Sequence, residues 1–157
     1  MTYATNERDG KQPIEGFEFT YEGETWRITP SWRRRSIAGL PFEPVPGSRG
    51  PLRSGAEIAA DEIEITVPTG HPVVIAFLNS NRVLPFEVTV YRTHIGSVAS
   101  DHAIVFRGYV GQLNKGFMFS TFTVNNMRHL IDTYIEAEES KVISDFGEIG
   151  LVDLIVK

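Results

Sequence analysis

Apolar and polar residues alternate with a period of two along most of this chain, in short runs punctuated by Gly, Pro and Asn, and that pattern predicts half-buried strands. Phe17, Phe19 and Tyr21 share one face of the run Phe17–Tyr21, and Trp26 and Ile28 share one face of Thr25–Thr29. The intervening Glu22-Gly23-Glu24 predicts a tight turn, so the two runs read as a hairpin. Glu62–Val67 sends Ile63, Ile65 and Val67 inward and Glu62, Glu64 and Thr66 outward, and Pro68 and Gly70 end it. Phe86–Arg92 places Phe86, Val88 and Val90 inward, and Ala103–Val110 follows after a loop holding Gly96, Ser97, Ser100 and Asp101. Gly108 and Gly111 predict a bulge or a barrel bend there. After the Lys115-Gly116 turn, Gly116–Val124 carries Phe117, Phe119, Thr121 and Thr123 on one face and Met118, Ser120, Phe122 and Val124 on the other. Apolar mass on both faces predicts a strand covered on two sides. Leu151–Val156 predicts a closing or edge strand.

Two segments read as helices. Pro72–Leu78 fits strand or helix by periodicity alone, but Pro suits a first helical turn and Asn79-Ser80-Asn81 suits an exit, which favours a short helix. Asn125 or Asn126 can cap a second helix from Met127 to about Ala137, with Met127, Leu130, Ile131 and Tyr134 on one stripe. The expected fold is mainly β: an antiparallel barrel-like or sandwich domain with one or two short helices.

Residues 30–55 break the alternation. They hold five of the nine prolines together with Gly39, Gly47, Gly50 and Gly55, so they predict an extended arm of a length that is usually functional or mobile. Within it Leu40–Pro46 is stiff and apolar, which suits either a docking arm or a strap over the domain's own core. Residues 1–13 predict a flexible N-terminus. No fixed-period repeat or low-complexity tract is present.

Composition narrows the function classes. A chain of 157 residues fits one domain, 1–157, because at this size roughly 68–70% of the unfolded surface is buried without disulfide or metal. A net charge of −5 argues against a nucleic-acid reader, which needs clustered Lys and Arg to neutralise phosphates. The absence of cysteine excludes thiolate zinc sites, iron–sulfur clusters, a Cys nucleophile and disulfides. The N-terminus lacks the apolar stretch of a signal peptide, and the longest apolar run, Pro72–Leu78, falls far short of the roughly 20 residues of a membrane span. A soluble protein without membrane insertion of its own is expected.

Catalytic signatures are weak. No His-Glu-x-x-His segment occurs among His71, His94, His102 and His129; His94 and His102 could face each other across a hairpin and permit metal binding with Asp101 or Asp132, though a surface or loop-lining pair is the ordinary reading. Pro46-Gly-Ser48-Arg-Gly50 lacks the strand–turn–helix context of a nucleophile elbow, and Gly108-Tyr-Val-Gly111 and Gly147-Glu-Ile-Gly150 are too short for a phosphate loop. The acids at Asp61, Glu62 and Glu64, and at Glu136, Glu138 and Glu139, read as solvated positions. No catalytic residue, metal ligand or cofactor is assigned. Arg33-Arg34-Arg35 after Trp32 is the one dense basic cluster, suited to a solvated strand end or turn, to bidentate pairing with carboxylates of this chain or a partner, or, as a poor third without wider basic support, to phosphate binding.

The order of these signals resembles a known family. Thr25-Trp-Arg-Ile-Thr-Pro30, then Glu62-Ile-Glu-Ile-Thr-Val-Pro68, then Phe86-Glu-Val-Thr-Val-Tyr-Arg-Thr-His94 and Phe106-Arg-Gly-Tyr-Val-Gly111 are similar to the N-terminal β domain of tailed-phage tail-tip hub proteins, the minor tail proteins of the type called L and the hubs of gene transfer agents. The likeness covers roughly Phe17 to Leu130 and rests on Trp26, Pro30, Ile63, Ile65, Val67, Pro68, Val88, Val90, Tyr91, Arg92, His94, Phe106, Gly108 and Val110 in matching order. Longer members carry a cysteine-bearing C-terminal module; this sequence has no cysteine, so a metal-cluster role does not carry over.

The resemblance implies a non-enzymatic tail-tip component located in the virion, and in the host cytoplasm during assembly. It implies a homo-oligomeric, trimeric ring between the distal tail protein and the central hub or fibre protein, around the lumen that the tape measure protein occupies. Expected interface residues are Arg33, Arg34, Arg35, Phe42, Arg49 and Arg53. The competing reading is a small β-barrel module binding a ligand or glycan through Trp32, Phe42 and Tyr109, with a hydrolase as a third class.

Overall fold

The structure, a computed structural model, describes residues 2–50, 62–81 and 83–126. The expected helix from Met127 and the strand Leu151–Val156 lie outside the described residues. In chain order the elements are α1 (Tyr3–Arg8), β1 (Pro13–Tyr21), β2 (Glu24–Thr29), β3 (Arg35–Ile37), β4 (Leu40–Pro44), β5 (Ser48–Arg49), β6 (Glu62–Pro68), α2 (Pro72–Asn79), β7 (Glu87–His94), β8 (Ala103–Lys115) and β9 (Phe119–Asn126). The nine strands form one mixed sheet in the order β3-β4-β2-β1-β7-β8-β9-β6-β5. The expectation of a mainly β domain with one or two short helices holds. The sheet is not closed into a barrel, and one of its pairings, β2 with β4, is parallel.

The β1–β2 hairpin forms in the register its alternation predicts, with Phe17 opposite Ile28 and Phe19 opposite Trp26. Its two-residue turn places Glu22 at φ 47° and Gly23 at φ 82°. Two consecutive left-handed residues match the right-handed twist of the flanking strands, and the β3–β4 turn repeats the solution with Ala38 and Gly39. In β8 the register against β9 slips between Val110 and Gln112, leaving Gly111 as the bulge its sequence announces.

The sheet is strongly coiled. β1 and β9 are separated by β7 and β8, so a flat sheet would hold them about 14 Å apart. Instead the Phe19 and Phe122 rings lie 5.2 Å apart, centroid to centroid. The concave face carries the core: Phe17, Phe19 and Tyr21 from β1, Ile63, Ile65 and Val67 from β6, Val88 and Val90 from β7, Phe122 and Val124 from β9. α2 closes over it with Val73, Val74 and Phe77. Phe86 is the meeting point of the rings, stacked on Tyr21 and Trp26 and edge-on to Phe19 and Phe77.

Residues 30–50 of the Pro-rich segment run along this chain's own sheet as a strap. β4 pairs with β2 near one end of the sheet, and β5 pairs with β6 at the other. Only residues 45–47 join them, a span of at most roughly 14 Å, so both flanks of the sheet curl toward this ribbon. Val45 N donates to Thr29 O at 2.9 Å on one side, and Gly50 N to Glu64 O at 2.7 Å on the other. The β3–β4 hairpin lies on the convex face, where Ile37 and Phe42 pack over Gly16 and Phe42 meets Tyr91 edge-on at 5.8 Å. A Cβ at Gly16 would sit 2.6 Å from the Phe42 ring, so only glycine lets the strap lie flat there. Gly16→Ala is expected to lose about 1–3 kcal/mol in urea unfolding, because a buried ring must move rather than an exposed chain end.

The N-terminus forms α1, where Asn6 is buried and its Nδ2 donates to Asp101 Oδ2 at 2.8 Å and to Ser97 Oγ at 3.0 Å. One expectation is corrected. β9 is not covered on two sides along its whole run. Ser120, Phe122 and Val124 are buried, but Phe117 is 100% and Met118 69% exposed at the hairpin tip, held there by Thr69 N donating to Met118 O and Thr69 Oγ1 to Gly116 O.

α2 is capped by His71, whose Nδ1 accepts from Val73 N at 3.2 Å. Accepting requires the neutral ring, and burial lowers the His71 pKa below the usual imidazole value of 6.5. A lowered folded-state value means the cap contributes fully above 6.5 and is lost as pH falls through that lowered value. His71→Asn keeps an acceptor without a titrating group, so its melting temperature should fall less than that of the parent between about pH 7.5 and about pH 5. His71→Ala should cost about 1 kcal/mol at the higher pH.

Candidate assembly surface

The six expected interface residues separate into distinct environments. Phe42 is fully buried under the strap, and Arg49 faces inward, its side chain 12% exposed. Both therefore serve this chain's own packing. Arg49 clamps Glu15 of β1 with two guanidinium nitrogens, Nε to Oε2 at 2.7 Å and Nη2 to Oε1, and Arg92 Nε approaches the same carboxylate at 3.4 Å. Because β5 and β1 are far apart in strand order, this pair ties one edge of the coil to its middle through side chains. Arg35 is half-buried and donates from Nε to Ser31 Oγ at 2.9 Å. Arg53 lies outside the described residues.

Trp32, Arg33 and Arg34 remain on the surface, in the loop between β2 and β3. Trp32 is 75% exposed, and the Arg33 guanidinium rests 3.7 Å from its ring centroid. A guanidinium stacked on indole keeps its N–H edge free for an external acceptor. Arg34 pairs with Glu43, both well exposed, a contact that contributes little to stability.

At the opposite end of β2 is a cavity of about 340 Å³ lined by Tyr21, Glu22, Glu24, Trp26, Ala76 and Asn79–Asn81. The β1–β2 turn supplies its acidic side and the end of α2 its amide side. Tyr21 donates its hydroxyl to Asn81 Oδ1 at 2.9 Å, and Val83 N donates to the same oxygen at 3.1 Å, which fixes that wall. Sequence reasoning missed this site. The clue was the concentration of Glu22, Glu24, Asn79 and Asn81 at the ends of two elements, read there only as turn and exit signals. None of Trp32, Phe42 and Tyr109, the aromatics of the competing binding-module reading, lines it.

The residues considered for catalysis do not converge. His94 is buried against Tyr3, 5.0 Å between ring centroids, whereas His102 lies beside Tyr91 with Nδ1 3.0 Å from Ala99 O. Glu62 and Glu64 are exposed on β6. Asp61, Asp132, Glu136, Glu138 and Glu139 lie outside the described residues. Among the described residues no group of three His, Asp or Glu side chains could hold a metal, and no helix is long and apolar enough to cross a membrane. On the convex face, burial and then the Glu18 charge raise the Tyr91 pKa, so its phenol stays protonated beside that carboxylate.

No family model matches the chain, and no curated protein does. Among solved structures, one described as the virion of a native gene transfer agent particle contains a chain that superposes with a TM-score of 0.61 at 18% identity. Over that superposed part this protein has the fold of a portion of the virion chain. The superposition covers 74% of this chain and 40% of the virion chain, so this protein spans well under half its length. At 18% identity the likeness establishes fold alone.

Proposed function

We propose that this protein is a structural component of a phage or phage-like particle, a subunit of the tail-tip hub ring that joins the distal tail protein to the central hub or fibre around the tail lumen. The observation that carries this reading is the fold held in common with a gene transfer agent virion chain over 74% of the present chain. It agrees with the order of strand motifs that resembles hub N-terminal domains. The surface supports it as well: an apolar hairpin tip at Phe117 and Met118 and a stacked Trp32–Arg33 pair are features that contacts between subunits would cover. The reading assigns no catalytic role. The acidic net charge suits a conduit wall that DNA must pass without adhering.

Size-exclusion chromatography with light scattering, on the chain alone and co-expressed with products of neighbouring genes, tests the proposal. A discrete closed oligomer, trimeric in the full reading, is expected. A monomer under every one of those conditions would overturn it.

A further inference from the structure

We propose that the cavity at the β1–β2 turn is the receptor for the Trp32–Arg33 loop of a second copy of this chain, so that copies join head to tail. This deepens the assembly reading and rests on it. The cavity joins an aromatic wall, Tyr21 and Trp26, to two exposed carboxylates, Glu22 and Glu24. Neither carboxylate has an ion-pair partner among the described residues, although they stand two positions apart at one tight turn. Arg33 is the complementary group: exposed, stacked on Trp32, its N–H edge open, and likewise without a carboxylate among the described residues. Carboxylates beside an aromatic face are the setting a guanidinium prefers, binding by its edge and stacking by its plane. A volume of about 340 Å³ lies at the small end of ligand sites, which fits one or two side chains rather than an extended ligand.

The two halves cannot satisfy each other within one molecule. They sit at opposite ends of β2, whose six residues separate them by on the order of 17 Å. Complementary patches at opposite ends of one rigid strand produce a heterologous contact, the kind that closes into a ring when the rotation between copies allows.

Charge exchange between copies tests this. One variant carries Glu22→Lys and Glu24→Lys, the other Arg33→Glu and Arg34→Glu, and sedimentation velocity measures each alone and the equimolar mixture. Each variant alone should lose self-association by more than about tenfold, since its loop and its cavity then carry like charge. The mixture should associate again, because each variant's loop is complementary to the other's cavity. The single Arg33→Glu chain, which leaves the Arg34–Glu43 pair intact, repeats the test if the double variant unfolds. Variants that assemble as the parent does would overturn this contact while leaving the ring reading standing. A mixture that stays monomeric would overturn it too, and so would a parent that stays monomeric alone, whereas the ring reading falls only if the co-expressed chain is monomeric as well.

Discussion

Truncating Phe86 to alanine is expected to lower the unfolding free energy by about 3–5 kcal/mol, measured by urea denaturation with far-UV circular dichroism. Phe86 is 3% exposed and touches four other rings: Phe19 and Tyr21 of β1, Trp26 of β2 and Phe77 of α2. Its removal leaves a void among side chains fixed to three different elements, none of which can move in without breaking its own pairing. Phe86→Leu retains most of the volume and should lose clearly less. Equal losses for the two substitutions would mean that ring stacking, rather than filled space, is what the position supplies.

Arg49→Ala should cost about 3 kcal/mol, because it leaves the largely buried Glu15 carboxylate with Arg92 alone. The geometry also specifies what should rescue it. Glu15→Met combined with Arg49→Met replaces the pair with apolar groups of similar size, and the double variant should lie within about 1 kcal/mol of the parent. Raising the salt concentration should affect the parent little, since solvent ions have poor access to the pair. If Arg49→Ala were as stable as the parent, the strap would be held by its backbone hydrogen bonds and Phe42 alone.

The elements that could be read from the amino-acid sequence are those whose signal is local. The β1–β2 hairpin, β6, α2 with its Pro72 start, the inward faces of β7 and the Gly111 bulge all follow from alternation and turn chemistry within a dozen residues. What was illegible depends on partners far along the chain. Arg49 looks like a surface residue until Glu15 is brought to it, and Phe42 looks like an exposed anchor until Gly16 opens a seat for it. α1 is a six-residue helix with no apolar stripe, held by Asn6 reaching Asp101 and Ser97, and nothing in its own composition announces that anchor. At Phe117–Phe119 the alternation says which side each residue takes, but not that the hairpin tip runs past the edge of the core. Half of the proposed interface, Trp32 and Arg33, was visible as an aromatic beside a basic run. The cavity that would receive it was not, since its walls come from two elements separated by the whole strap.

The placement of β7 between β1 and β8 governs how the chain reaches this state. The β1–β2 hairpin can form as soon as it is synthesised, yet the other edge of β1 remains unpaired until Glu87–His94 arrives, and β6 likewise waits for β9. Such non-local pairing makes for slow, high-contact-order folding, with bare strand edges exposed on the ribosome in the meantime. Yield in recombinant expression should therefore respond more to lowered temperature and to chaperone supply than to any change in the finished surface.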